Sequence, residues 1–553
     1  MMRNDNVSIA MGAAALDALS TGSAPIPANL NRSDLERAAK SSLTAPTKIA
    51  ITTDEGKPRP QVAILIDIGN QHALFHDTGG DAYAQLGNGA VCAVTSTEYR
   101  EILGSAYYRL TGKGANRNAL MDAANTLAAI AKFDGRTEPV HLRVGEFEGN
   151  IAIDTGHPDR ACYLVSKEGW QKRDEPPIHF RRSGKPLPLP KPSKANFNLL
   201  WKYVNVRLAD RVLVVAWILA ALRPKGPYPI LILIGEQGSG KSRTARAIKA
   251  LTDPSASPLR SPPQDVRDLM VAAVSSWILA FDNLSGADPQ LSDALCRLST
   301  GGALSGRTLY TNSEETLIEL QRPVILNGID DLATRPDLAE RSIILELPTI
   351  QHRSTDQELD AGFQQDACAI LAALLDGLQQ ALRDEHSIKI GPLPRMADFA
   401  KWAAAGVPAM GFSSNEFVEA YRANQAGAIE SGLDSSSVGQ AVRRFMEKRS
   451  IWSGSASELL YELATGSDIN SRSWPRSPKG LLNALRRLGP SLRHMGIRWE
   501  MSRSATQRDI TLCKDDGQVS QASQVSLPND GMTLVTHSPV PCTVNVELDV
   551  EVF

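Results

Sequence analysis

Leu231-Ile232-Leu233-Ile234-Gly235-Glu236-Gln237-Gly238-Ser239-Gly240-Lys241-Ser242 decides how the rest of the chain is read. Four consecutive apolar residues suit a parallel strand buried on both faces. They run straight into G-x-x-x-x-G-K-S, with a further glycine at Gly238, and Arg243 to Leu251 then reads as a helix. Strand, glycine loop and helix stand in the order that phosphate binding requires. Glycines let successive backbone N–H groups face one anion at a helix N-terminus, where the dipole favours negative charge. Lys241 then reaches the β and γ phosphates and the Ser242 hydroxyl ligates Mg²⁺. The expected cofactors are ATP and Mg²⁺, held by Gly235, Glu236, Gln237, Gly238, Ser239, Gly240, Lys241, Ser242 and Arg243.

Two more apolar runs complete the pattern. Trp277 to Phe281 ends in Asp282-Asn283. A carboxylate at the C-terminal end of a strand beside the loop is where the cation needs an acidic partner, so Asp282 joins Ser242 as a metal residue. A second acid would usually polarise the attacking water there, and this chain has Asn283 instead. Arg322 to Leu326 ends in Asn327, whose amide is placed to orient water against the γ-phosphate. Asp337 to Ser342 then leads into the strand-like Ile343 to Leu347. Arg341 is well placed as an arginine finger for a neighbouring subunit's nucleotide, with Arg335 the competing candidate. Lys241, Asp282, Asn283, Asn327 and Arg341 form the expected catalytic set.

The chain has 553 residues, 59 Lys+Arg against 61 Asp+Glu, a formal charge of −2 and 42% hydrophobic residues. At roughly 100–200 residues per domain, about three domains are expected. The apolar and charged fractions exclude wholesale disorder. The balanced charge excludes a uniformly basic protein but not nucleic acid binding, because opposing patches cancel in a sum. Cys92, Cys162, Cys296, Cys368, Cys513 and Cys542 contain no C-x-x-C, which excludes a local zinc knuckle or redox dithiol and fits a reducing compartment. No signal-peptide pattern opens the sequence, and the apolar run Val212 to Leu222 is too short to span a bilayer. A cytoplasmic protein without membrane contact is expected.

Residues 1–58 read as a flexible segment with one short helix, Ser33 to Ser41, and 59–183 as an α+β accessory domain. There Val62 to Ile66 looks like a strand, followed by Ala73 to Phe75 and Asp81 to Ala84. Helices are expected near Ser96 to Thr111 and Asn116 to Phe133. Strand-like runs return at His141 to Val144, Ile151 to Asp154, Ala161 to Val165 and Ile178 to Arg182. The Pro-rich 184–194 favours an extended spacer. A helix is expected over Asn196 to Leu222, inside an ATPase core of 195–350. Residues 351–450 read as a helical lid or connector, where Arg395 is a candidate nucleotide sensor. The acidic 514–553 reads as a disordered tail.

Residues 451–513 form a basic module. Ser455 or Ser457 caps one helix. Ser477-Pro478-Lys479 opens a second, which Gly489-Pro490 is expected to end near Leu488. Lys479, Arg486 and Arg487 fall on its polar positions, with Leu481, Leu482, Leu485 and Leu488 at apolar spacing. Arg493 follows, and Ile497 to Met501 with Asp509 to Leu512 reads as a hairpin bearing Arg498, Arg503 and Arg508. Helix, helix, hairpin is winged-helix order, and such a basic cluster attracts DNA phosphates in a salt-dependent way.

Gly235–Ser242, Trp277–Asn283, Pro323–Asn327 and Arg341 together resemble the A, B, C and arginine-finger motifs of superfamily 3 helicases and related AAA+ ATPases. The wording W-I-L-A-F-D-N-L-S, then R-P-V-I-L-N-G-I-D-D-L-A-T-R-P-D-L-A-E-R-S, is similar to helicase-like ATPases from replication modules of phages and integrated bacterial elements. The specific likeness covers about residues 195 to 350. It implies a hexameric homo-oligomeric ring around DNA with ATP at subunit interfaces. It also implies a DNA-contacting hairpin, here Gly301 to Glu319, where Arg307 and Tyr310 would touch a phosphate or stack on a base. Some relatives carry an N-terminal primase. Ile66-Asp67-Ile68 supplies one carboxylate rather than a pair, so residues 59–183 are read as a scaffold or an origin or replication-partner contact.

The expected fold is an α/β P-loop NTPase core of AAA+ type, with an N-terminal α+β domain and a C-terminal winged-helix-like domain. The expected function is an ATP-dependent DNA helicase or translocase on single-stranded or forked DNA, in replication of a phage or mobile element. The alternative, favoured by Asn283, is an ATP-binding DNA-binding assembly factor with little or no hydrolysis or unwinding. A P-loop small-molecule kinase would leave the basic module unexplained.

Overall fold

The computed structural model describes residues 49–514 apart from 287, 308–314, 329–331, 333–334, 352–353, 435, 466–473 and 504–507. For 303–307, 315–319, 503 and 508 only the course of the backbone is described. The expected helix Ser33 to Ser41, Tyr310, and the acidic stretch from 515 onward lie outside the described residues.

Pro60 precedes a helix, Gln61–Gly69, where a strand was expected. The apolar run is continuous, and continuous runs do not distinguish a buried strand from a buried helix. Tertiary packing decides. Ile64, Leu65, Ile68 and Gly69 are buried at helical spacing. Gly69 lies so close to the helix Arg117–Phe133 that a Cβ would come within 2.2 Å of Leu127. The helices Thr97–Thr111 and Arg117–Phe133 begin as expected, capped by Ser96 Oγ accepting from the Tyr99 N–H and Asn116 Oδ1 from the Ala119 N–H. They accompany a sheet in the order Val91–Ala93, Ala82–Gln85, Ala73–His76, Arg136–Thr137.

A second sheet, antiparallel throughout where the first ends in a parallel pair, runs Val144–Phe147, Asn150–Asp154, Cys162–Val165, Trp170–Arg173. Its last strand, W-Q-K-R, is too polar to have been anticipated. The Pro-rich segment after it is no free spacer. Leu189 is buried, Leu187 N–H donates to Pro254 O and Leu189 N–H to Thr155 O. Further on, Ser193 and Asn196 donate to Cys368 O and Ala369 O. The expected helix Asn196 to Leu222 breaks into two short 3₁₀ turns, Phe197–Lys202 and Leu208–Asp210, before a helix at Arg211–Ala221. Between the turns, Tyr203, Val204 and Val206 are buried in the core.

The central sheet is fully parallel, in the order Leu279–Leu284, Val324–Gly328, Ile230–Ile234, Ser342–Glu346. Alternate residues feed two cores. Leu231, Leu233, Ile325, Ile343 and Leu345 join one, and Ile230, Ile232, Phe281, Val324 and Leu326 the other. This is the two-faced burial the apolar run predicts. The first of these cores also contains Val144, Ile151, Tyr163 and Leu189 from the second antiparallel sheet and its following segment, together with Ile370 and Leu374 of the long helix Asp356–Asp384. The backbone hairpin Ala303–Arg307 with Glu315–Glu319 stands between the second and third motif strands.

In the basic module the helices Ala456–Ala464 and Pro478–His494 precede strands Ile497–Arg503 and Arg508–Lys514. Ser455 closes a capping box with Glu458. An additional strand, Ile451–Ser455, pairs with Arg508–Lys514. The second helix does not stop near Leu488 but continues through Pro490 to His494. Pro490 lies on the exposed side, while Leu488, Ser491 and Leu492 are buried and carry the apolar stripe past it. The five described cysteines are free. No helix among the described residues is long and apolar enough to cross a membrane.

Candidate functional site

The loop between Ile230–Ile234 and the helix Lys241–Thr252 is built on three positive-φ glycines, Gly235 at 147°, Gly238 at 87° and Gly240 at 82°. Gly238 and Gly240 use the left-handed region open to glycine at no steric cost. Gly240 is the N-cap and provides no side-chain bond, whereas the helices begun by Ser96, Asn116, Thr355, Ser455 and Ser477 are all capped by a side-chain oxygen. The first-turn N–H groups of the loop helix are therefore left to an anion. Lys241 Nζ folds back and donates to Gly235 O at 2.7 Å and Glu236 O at 2.8 Å. Burial lowers the Lys241 pKa, and the charge of Asp282 acts against that shift.

Strand order brings the predicted partners together. Val324–Gly328 lies between the loop strand and Leu279–Leu284, so Asn327 ends between the loop and the carboxylate. Ser242 Oγ donates to Asp282 Oδ1 at 2.9 Å. Asn283 follows in the left-handed region, φ 60°, where the pairing register shifts between Phe281 and Leu284. Its side chain is exposed, and its backbone N–H donates to Asn327 Oδ1 at 2.7 Å. Asn327 is 1% exposed, and its Nδ2 is buried without a protein partner. Uncapped N–H groups, an ammonium, a hydroxyl–carboxylate pair and an unpaired amide donor are a donor set suited to a polyphosphate with a divalent cation. Among the described residues no group of three or more His, Cys, Asp or Glu could hold a metal by itself.

The other candidates are placed less directly. Glu236 and Gln237 are exposed at the loop tip, and Glu236 Oε2 accepts from Thr349 Oγ1 at 3.5 Å. Arg243 turns to the long helix, donating to Asp360 Oδ1 at 2.6 Å. Arg341 Nη1 donates to Asp337 O at 2.9 Å, and its Nε is buried without a partner. Arg335 donates to Pro289 O at 2.9 Å and pairs with Asp293 at 2.8 Å. Arg395 pairs with Glu340. Lys479, Arg486, Arg487 and Arg493 are exposed along one side of Pro478–His494, opposite the buried Leu481, Leu485, Leu488 and Leu492, and Arg498 is exposed on the next strand. The side chains of Arg307 and Arg503 lie outside the described residues.

Asn205 escaped the sequence reading. Its Nδ2 donates to Ser239 O at 2.9 Å and Pro348 O at 2.6 Å, and its backbone N–H to Thr244 Oγ1 at 3.3 Å. It thus clamps the loop to the segment leaving the last strand. Nothing local marks it, because its partners lie 34 and 143 residues away.

Residues 197–428 match the family model of the actinomycete integrative conjugative element replication protein, and 438–524 match the model of the C-terminal domain of the same protein, RepA. The chain carries both regions of a mobile-element replication protein. The two models together span more than half of it. No curated protein matches the chain. Among solved structures, the apo C-terminal region of NrS-1 is 13% identical, covering 82% of this replication protein and 98% of that chain at a TM-score of 0.36. The structure described as the active helicase of SCCmec type IV Cch is 13% identical, covering 80% and 92% at a TM-score of 0.40. Both scores lie below the level that establishes a common fold. The α/β NTPase-like core of this replication protein is read from its own parallel sheet and loop.

Proposed function

We propose that the chain is an ATP-dependent DNA helicase or translocase that acts in replication of a mobile element. The observation that carries this reading is the Ser242–Asp282 contact beside the uncapped helix N-terminus, with the unpaired amide of Asn327 in the same corner. Gly235 to Ser242 would hold the phosphates, with Lys241 exchanging its two loop carbonyls for phosphate oxygens. Ser242 and Asp282 would hold Mg²⁺. Bound Mg²⁺ would neutralise the charge that develops on the transferred phosphate. Asn327 Nδ2 donates toward the γ-phosphate or its attacking water.

Arg341 is assigned as the arginine finger acting in a neighbouring subunit, which makes the working form a ring of AAA+ or superfamily 3 type, with a hexamer the expected size. The exposed stripe Lys479, Arg486, Arg487, Arg493 on a helix–helix–hairpin unit supports a winged-helix module that contacts DNA phosphates, the partner being single-stranded or forked DNA. Asn283 favours a second reading, an ATP-binding assembly factor with little turnover, because it provides no carboxylate for water activation.

DNA-stimulated ATP hydrolysis that disappears in Lys241→Ala is the expected result. Tight ATP binding without turnover in the wild type would overturn the motor reading in favour of the second. Strand displacement on a forked duplex then separates unwinding from translocation.

A further inference from the structure

Arg143 stands at the start of the second antiparallel sheet and is 1% exposed. Its Nε donates to Asp253 Oδ1 at 3.2 Å, and its Nη atoms donate to the carbonyls of Asp154, Leu187 and Pro254 at 3.0, 3.4 and 3.3 Å. Asp253 is the C-cap of the loop helix Lys241–Thr252. Its Oδ2 accepts from Lys249 Nζ, on the last turn of that helix, and from the backbone N–H of Ile278, both at 3.0 Å. Lys249 Nζ closes the figure by donating to Ile278 O at 3.0 Å. Ile278 immediately precedes the strand Leu279–Leu284. Burial alone would push the Asp253 carboxyl up, but Lys249, Arg143 and the Ile278 N–H outweigh it and hold it down to about 2.

Two elements are thereby joined at both ends. At the near end, Ser242 on the loop helix meets Asp282 on the strand. At the far end, Asp253 ties the same helix to the same strand. The helix is roughly 18 Å long, so a tilt of about 3° at the far end moves the Ser242 end by about 1 Å. That displacement is several times the roughly 0.2 Å within which a metal–ligand distance must hold.

We propose that Arg143 is a positioning residue for the Ser242–Asp282 pair, acting through Asp253 from outside the region matched by the family model. This inference rests on the nucleotide reading above. It gives the sheet Val144–Phe147 to Trp170–Arg173 a task in the ATPase, that of presenting the guanidinium that fixes the far joint. The sheet shares its apolar core with the ATPase, as this role requires.

The test compares wild type, Arg143→Met and Arg143→Lys as full chains, measuring binding of a fluorescent ATP analogue in excess Mg²⁺ and in EDTA. In Arg143→Met, binding in EDTA is expected to stay within about twofold of wild type. The tightening produced by Mg²⁺ is expected to fall by about tenfold, the scale seen when an outer-shell partner of a metal ligand is removed. Arg143→Lys, which keeps the charge but not the fork, is expected to recover part of it. Equal losses with and without Mg²⁺, or an unchanged Mg²⁺ dependence in a folded variant, would overturn the proposal. If Arg143→Met fails to fold by circular dichroism, the Arg143→Lys variant decides, and a wild-type Mg²⁺ dependence there overturns it. Absence of analogue binding by the wild type in both buffers would instead remove the nucleotide reading.

Discussion

Asn283 donates its backbone N–H to Asn327 Oδ1 at 2.7 Å, and this bond determines which way the Asn327 amide faces. With the oxygen engaged, Nδ2 is left as the donor, buried and unpaired. Asn283 acts here through its backbone, held at a φ of 60° that asparagine tolerates and most residues do not. Asn327→Ala is expected to lower kcat roughly a hundredfold, as for loss of one preorganised donor, with ATP affinity changed less than about threefold. Asn283→Gly should retain turnover and Asn283→Val should lose both turnover and about 1–2 kcal/mol of stability. Steady-state kinetics and denaturant unfolding of the three variants check this. Full loss in Asn283→Gly would show that the side chain matters after all.

Pro490 sits inside the helix Pro478–His494 without an N–H for the Arg486 carbonyl. An interior proline typically costs about 3 kcal/mol, so Pro490→Ala is expected to stabilise the module by about 1–3 kcal/mol. A thermal scan of the full chain should show its transition rising. An unchanged or lower midpoint would mean that the missing hydrogen bond is compensated elsewhere.

The exposed cations of the same helix make a separate prediction. If Arg487 neutralises a phosphate, Arg487→Ala should weaken DNA binding on every sequence tested and reduce the slope of log K against log salt by about 1. Fluorescence anisotropy across a salt series reads it directly. A changed affinity with an unchanged slope would exclude a phosphate contact.

His141 gives a pH dependence. Burial first, then the charges of Arg322 and His179, lower its pKa to about 4, and Nε2 is buried without a partner. The unfolded chain takes up this proton near the ordinary value of 6.5, before the folded protein does. Stability is therefore complete above about pH 6.5 and falls as the pH drops towards 4, by roughly 3 kcal/mol from this group. Urea unfolding between pH 7 and 4 should show that slope in wild type and a flatter one in His141→Phe. Equal slopes would remove His141 as the cause.

The parts read correctly from sequence were those whose signals are local. The glycine loop, the strand carrying Asp282, the helices near Ser96 to Thr111 and Asn116 to Phe133, and the cap at Ser455 each combine a periodic run with a punctuating residue a few positions away. The misread parts depend on partners far along the chain. Gln61–Gly69 is a helix that packs Gly69 against Leu127, 58 residues on, and V-A-I-L-I is silent on that packing. Asn205 and the Arg143–Asp253 pair, 110 residues apart, carry no local mark at all. The helix through Pro490 shows burial outweighing propensity, because its apolar stripe continues beyond the proline.

The stitched Pro-rich segment bears on how the protein is made. Ser193 and Asn196 bond to carbonyls of the long helix, and Trp170 Nε1 donates to Asp376 across 206 residues. As the chain leaves the ribosome, the second antiparallel sheet must wait, one apolar face uncovered, until that helix is synthesised. Such delayed closure slows folding and prolongs exposure to chaperones and to neighbouring nascent chains. A gene fragment beginning at residue 197 would contain no sheet left waiting, but would leave the carbonyls and apolar face of the long helix without their cover.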